Sequence, residues 1–200
     1  MSQVESARLS TEEQLKQAAR RVFLRKGFAA TRTRDIAEEA GQNLALLNYY
    51  FRSKQNLFDL VLRENVQQFF GVVAPLFHET ATSLDEKIAL ITDQYIDLLL
   101  QQPEMPMFVL SELRTNPAWF SQNAPLIHQL AQSAFARQLV ERQPTAEPVQ
   151  VFLTFLGMLL FPFILKPVMQ TTAPFNEAAF TRLMHERKAL VVGWMGAIIE

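Results

Sequence analysis

Residues 27–58, GFAATRTRDIAEEAGQNLALLNYYFRSKQNLF, set two short helical patterns on either side of one glycine and close on an aromatic and basic cluster. Ile36, Ala37 and Ala40 supply the inner side of the first pattern, and Gly41 supplies the permissive backbone of a tight turn. Thr33 reads as the cap of the first helix. Asn43 reads as the cap of the second, which runs through Tyr50. A pair of helices held this close presents one of them outward. That geometry suits insertion into a DNA major groove and has little use in a catalytic domain.

Helical signals continue on both sides of this stretch. Ser10 with Glu13 makes a capping box, and Leu15, Ala18, Ala19, Val22 and Phe23 then form one apolar stripe. Lys26-Gly27 is a stop. Ser53 caps a fourth helix carrying Leu57, Phe58, Val61, Leu62, Val66, Phe69 and Phe70, with its end expected near Pro75. All ten prolines lie at Pro75 or later, so the first third reads as helices joined by tight turns. Further on, Ser83 with Glu86 opens another helix and Asn116-Pro117 another, while Pro125 interrupts or restarts the one that follows. Val149 to Leu165 is apolar on every side, and a last helix starts near Asn176. No sustained period-two alternation and no Asn-Gly or Asp-Gly hairpin occurs. The fold class is therefore all-α, with about nine helices.

Composition narrows the chemistry. With 49% hydrophobic residues in 200, the chain can bury the core of one or two small domains. It has no cysteine, which excludes disulfides and thiolate metal sites and fits a reducing cytoplasm. MSQVESARLS lacks the apolar core of a signal peptide, and Val151 to Leu165, interrupted by Pro162, is short for a membrane span; both favour a cytoplasmic protein. Residues 1–63 carry 11 Lys/Arg against 7 Asp/Glu, a surplus of +4, and residues 64–200 carry 8 against 13, or −5. A basic first third points to a polyanion partner.

Within that third, Leu47 and Phe51 face the core with Tyr50 beside them, while Leu44, Ala45 and Asn48 fall on another face. Asn48 is the candidate base reader, since an amide can bond adenine bidentately. Leu44 and Leu46 suit thymine methyls and Ala45 allows close approach. Thr33, Arg34, Asn43, Tyr49, Tyr50, Arg52 and Lys54 are phosphate candidates, through side chains or helix-start amides.

The same residues resemble the N-terminal domain of the tetracycline-repressor (TetR) family of bacterial transcription regulators. The matching signature is Ala18-Ala19, Phe23, Gly27-Phe28, Thr31, Thr33, Ile36-Ala37, Ala40-Gly41, Tyr49-Tyr50-Phe51, Ser53-Lys54 and Leu57. It departs from the family pattern at Asn48, where tyrosine is usual, and at Gln42-Asn43, where valine and a hydroxyl residue are common. The resemblance implies a tail over residues 1–9, a three-helix helix-turn-helix domain over 10–53, and a ligand-binding and dimerisation domain over 54–200. It implies a homodimeric regulator, most simply a repressor, released from a palindromic operator in double-stranded DNA by a small, largely apolar effector, with no cofactor.

For the dimer contact, Phe155, Met158, Leu159 and Phe161 join Phe180, Leu183, Met184, Val191 and Trp194 in an expected four-helix interface. For the effector pocket, the candidates are Phe69, Phe70, Tyr95, Leu99, Phe108, Glu112, Trp119, Phe120 and Phe135. The alternatives are an all-helical enzyme with a spatially assembled site, or an interaction scaffold. His78, His128 and His185 are far apart in sequence, and no metal-ligand spacing, glycine-rich phosphate loop or Gly-x-Ser-x-Gly occurs, so neither a metal site nor catalysis is expected.

Overall fold

The computed structural model describes residues 10–124, 126–171 and 175–200; the expected tail over 1–9 and the interruption at Pro125 lie outside them. The described residues form α1 (Thr11–Ala30), α2 (Thr33–Ala40), α3 (Leu44–Phe51), α4 (Lys54–Gly71), α5 (Ala74–His78) and α6 (Leu84–Gln101), followed by α7 (Met105–Thr115), α8 (Pro117–Asn123), α9 (Leu126–Ala131), α10 (Ala134–Arg142), α11 (Pro148–Gln170) and α12 (Glu177–Ile198). There is no strand among them. Twelve helices replace the nine expected, because pieces such as α5 and α9, of five and six residues, are too short to carry a repeating stripe. Two compact units result, one ending at Asn65 and one beginning at Val66, so the division falls inside α4.

The first unit is built on the expected stripe. Leu15, Ala18, Ala19, Val22 and Phe23 of α1 are fully buried, with Ile36 and Ala37 of α2, Leu47 of α3, and Leu57 and Phe58 of α4. Phe58 is the centre of this core: its ring lies edge-on to Phe23 at 5.0 Å and tilted on Phe28 at 4.7 Å. Regular helix geometry in α1 is interrupted at Gly27, whose φ of +73° favours glycine. Thr31 closes the break by donating its hydroxyl to the Gly27 carbonyl at 2.7 Å.

In the second unit α6 packs along α12, and α11 packs against α6, α7, α9, α10 and α12. The Ser83–Glu86 capping box forms as expected, with the Ser83 amide donating to Glu86 at 2.8 Å. Lys188 of α12 bridges Asp93 and Asp97 of α6 at 2.7 and 2.6 Å. α11 runs 23 residues, so the length argument against a membrane span does not hold: by length and composition alone this helix could cross one. Here Phe152, Phe155, Leu159 and Phe163 are buried inside the chain's own core. Pro162 sits within α11 and has no amide to offer the carbonyl of Met158, four residues back. Arg187 of α12 donates to that carbonyl instead, Nε to O at 2.9 Å.

Candidate functional site

The turn between α2 and α3 follows from its residues. Gly41 takes φ +62°, ψ +30°, and its amide together with that of Gln42 closes the end of α2. Asn43 then starts α3, its Oδ1 accepting the Ala45 amide at 2.9 Å. At the start of α2 the position differs by one from the expectation. Arg32, not Thr33, is the capping residue, because the Asp35 carboxylate reaches back to accept the Arg32 amide at 3.0 Å; Thr33 is the first helical residue.

α3 is two-faced. Leu47 and Phe51 point into the core. Asn43, Ala45, Asn48, Tyr49, Tyr50 and Arg52 are exposed, Leu44 and Leu46 are half-buried, and at the start of α2 Thr33 is half-buried and Arg34 exposed. Tyr49 is 77% exposed, a large value for an aromatic ring, and it leans edge-on to Tyr50 at 5.1 Å.

The cations sort into two groups. On α1, Arg21 and Arg25 pair with Glu39 at 2.9 and 3.1 Å, Lys26 pairs with Asp35 at 3.1 Å, and Lys16 bridges Glu13 and Glu64. The two arginines hold the Glu39 carboxyl below the usual carboxylate range, and the Arg32 amide, then Lys26, do the same for Asp35. Arg34 and Arg52, by contrast, are exposed and make no ion pair among the described residues. Uncompensated positive charge therefore sits at the start of α2 and the end of α3, flanking the exposed face. Arg32, also exposed, lies beside them in the chain, its charge partly offset by the Asp35 carboxylate. It was not among the sequence candidates, although a cation placed just before a helix start was there to be read.

Lys54 occupies a different place from the one expected of a phosphate contact. Its ammonium donates to the carbonyls of Phe28 and Thr31 at 2.9 and 2.8 Å and lies 4.1 Å from the centre of the Phe28 ring. It ties the end of α1 to the start of α4. Arg52 is the one non-glycine residue with positive φ among the described residues, at +65°, and the Ser53 amide donates to the Phe51 carbonyl across it at 2.7 Å. Such a three-residue turn is strained for an L residue.

In the second unit two adjacent hollows share Phe70, Phe152 and Leu156 as a common wall. The outer one, of about 410 Å³, lies among α4, α7, α8, α9 and α11 and is within the size range of ligand sites. The inner one, of about 30 Å³, holds little more than water. Of the expected pocket residues, Phe69, Phe70 and Phe120 line the outer hollow, while Phe70 and Tyr95 line the inner. Leu99, Phe108 and Phe135 are buried core side chains, Trp119 is half-buried against Phe120 at 5.1 Å, and none of them lines either hollow. Glu112 also lies outside both. It accepts from Asn116 at 2.8 Å, and burial pushes its carboxyl above the usual range.

The expected dimer set divides in the same way. Phe155, Leu159, Phe180, Met184 and Val191 are buried by their own chain and have no area left to offer a partner. Met158 and Leu183 are half-buried, and only Phe161 and Trp194 are exposed. The apolar side chains that α11 and α12 do expose are Leu153, Phe161, Leu165 and Val168, with Leu190, Trp194 and Ile198.

The family of bacterial regulatory proteins described as tetR matches residues 15–61 of the chain, from the α1 stripe to the start of the α4 core. A repressor from Mycolicibacterium smegmatis, KstR2, is 37% identical over 79 residues, which is 40% of this chain and 38% of that protein. The repressor NicS of Pseudomonas putida is 31% identical over 105 residues, 51% of this chain and 48% of the relative. The chain thus spans less than half the length of these curated relatives. The fold likeness extends further. A TetR-like transcriptional regulator from Rhodococcus sp. RHA1 superimposes with a TM-score of 0.65 at 18% identity, covering 94% of this chain and 96% of the other. The TetR family regulator PfmR of Thermus thermophilus superimposes with a TM-score of 0.60 at 18% identity, covering 90% and 97%. Over residues 15–61 the chain thus matches the tetR family of bacterial regulatory proteins, and over most of its length its fold is like that of TetR-like regulators.

Proposed function

We propose that the chain is a DNA-binding transcriptional regulator that grips a palindromic operator as a homodimer and is released by a small apolar effector. The observation that supports this most is the outer face of α3, where Asn48, Tyr49 and Tyr50 stand exposed between the unpaired guanidiniums of Arg34 and Arg52. In this reading Asn48 and Ala45 meet base edges, with Leu44 and Leu46 at the margin. Thr33, Arg34, Asn43, Tyr49, Tyr50 and Arg52 fix the register on phosphates, joined by Arg32. The descriptions of KstR2 and NicS as repressors favour repression as the sign of regulation.

The exposed apolar side of α11 and α12 would be covered by a second copy, which places two recognition helices about one DNA turn apart or a near multiple. The effector would occupy the hollows of the second unit. It acts by binding one of two dimer arrangements better than the other, so that the spacing of the recognition helices shifts. DNA reading belongs to residues 10–53 in this scheme, and effector binding and dimerisation to 54–200. The chain acts in the cytoplasm, where its operator is, and carries out no catalysis.

Titrating salt against binding to DNA from its own promoter tests the reading. The logarithm of affinity should fall linearly with the logarithm of salt concentration. Absent binding, or binding indifferent to salt, would refute it. Asn48→Ala should cost about 1–3 kcal/mol on operator and little on random DNA, and an unchanged ratio between the two removes Asn48 as a base reader.

A further inference from the structure

The two hollows of the second unit carry information about the chemistry of their occupant. Among the described residues that line them there is no Asp, Glu, Lys or Arg. The inner wall contributes only His78, Tyr95 and Gln129 as polar groups, the outer only Ser121 and His128. Tyr95 stands apart from these. It is 1% exposed, its ring is held edge-on by Phe69 at 5.4 Å, and its hydroxyl has no hydrogen-bond partner. A buried hydroxyl without a partner is a standing cost to the fold, and in native proteins such groups are met by water, an ion or a ligand.

Apart from the imidazoles of His78 and His128 the walls hold no acidic or basic side chain, so a charged ligand would lose most of its hydration uncompensated. A neutral one loses little. The hollows share Phe70, Phe152 and Leu156 in their walls, so the 410 Å³ outer space adjoins the wall that holds Tyr95. Of the three, Phe70 and Leu156 are half-buried and Phe152 is buried.

We propose that the effector is an electrically neutral, mainly hydrocarbon molecule whose one oxygen acceptor, of alcohol, ketone or ester type, takes the unpaired hydroxyl of Tyr95 as donor. The inference rests on the reading of the second unit as an effector domain, and it deepens that reading by fixing the charge and the polar anchor of the ligand.

Three probes with the same tail test it on the full chain: octan-1-ol, octanoate and octyltrimethylammonium, titrated by calorimetry without DNA at a pH above the ordinary histidine range. The alcohol should bind at least about tenfold more tightly than either ion, the ions having no partner for their charge. Tyr95→Phe should melt no lower than the parent, since it removes only an unpaired hydroxyl. It should weaken octan-1-ol about fivefold, the worth of one hydrogen bond. An ion within tenfold of the alcohol, no binding of the alcohol, a lower melting temperature for Tyr95→Phe, or unchanged affinity in that variant would each overturn the proposal. Binding to promoter DNA is measured separately without probe. Loss of that activity with alcohol binding intact would break the regulator reading and leave the ligand chemistry standing.

Discussion

α3 and α11 both turn large side chains outward, for opposite chemical reasons. On α3 and its C-terminal cap the large exposed groups are Tyr49, Tyr50, Asn48 and Arg52, each ending in a hydroxyl, an amide or a cation. On α11 they are Leu153, Phe161, Leu165 and Val168, which end in hydrocarbon. The first face gains from a hydrated polyanion, where polar tips find phosphates, base edges and water. The second gains only by excluding water against a surface like itself. Exposure alone does not say what a surface binds; the chemistry of its outermost atoms does.

That contrast can be attacked where its effects should be largest. Phe161→Glu puts a carboxylate into the hydrocarbon face at a position 58% exposed in the protomer. It should raise the dimer dissociation constant by about 30-fold or more, the equivalent of about 2 kcal/mol at an interface anchor, with protomer melting little changed. Sedimentation at falling concentration measures this, and an unaltered dimer would mean that the hydrocarbon face is not the contact.

Lys54→Ala comes next. It removes two carbonyl contacts and the Phe28 ring contact from the first unit, and should cost about 2 kcal/mol in its unfolding. Unchanged melting with a uniform drop in DNA affinity would instead return Lys54 to the outer set proposed for phosphates.

Arg52→Gly separates backbone from charge. Relief of the +65° φ, of order 1–3 kcal/mol, outweighs glycine's entropic cost of roughly 0.5–1 kcal/mol and should stabilise the first unit, while the slope of DNA affinity against salt falls by about one. A loss of stability would show that the guanidinium matters to the fold and not to the outer face.

The smallest effects have opposite signs in the two units. The Glu39 carboxyl is held low by Arg21 and Arg25, so its stabilisation is present above the usual carboxylate range and disappears as pH falls through and below it. Glu112 is held high by burial, so its charged form is a penalty that grows as pH rises through and beyond that range. Thermal melts at about pH 7 and about pH 3.5 should show Glu39→Gln destabilising only at the higher pH. Glu112→Gln should stabilise there, by about 1 kcal/mol or less, and be neutral at the lower pH.

The first unit was largely legible because its determinants are local. Asn43, Gly41 and the α1 stripe act within a few residues of themselves, and they stand where periodicity and capping chemistry put them. The misplacement at Thr33 arose from a competition between two caps, which Asp35 decides from inside the helix. The inward setting of Lys54 was illegible for another reason. A cation in a sequence has no direction, and its partners Phe28 and Thr31 lie 26 and 23 residues away. α11 was legible as a helix and illegible as a surface. A helix apolar on every side gives periodicity no phase, so the burial of Phe155 and the exposure of Phe161 depend on where the other helices lie. For the same reason Phe152 and Leu156, which wall both hollows, were not among the pocket candidates.

The hydrogen bond from Arg187 to the Met158 carbonyl has a consequence of its own. A proline inside a helix is ordinarily counted as a defect. In α11 the defect works as an address, because the acceptor it frees can be reached at one axial setting of α12. A slip of α12 by a single residue would strand that acceptor and a half-buried guanidinium together. Pro162 thereby acts as a vernier mark midway along two largely apolar rods, beside the second mark that Lys166 and Gln170 make on Glu177 near their ends. Giving the mark back its amide, as Pro162→Ala would, should leave both helices intact and their alignment less sharply chosen.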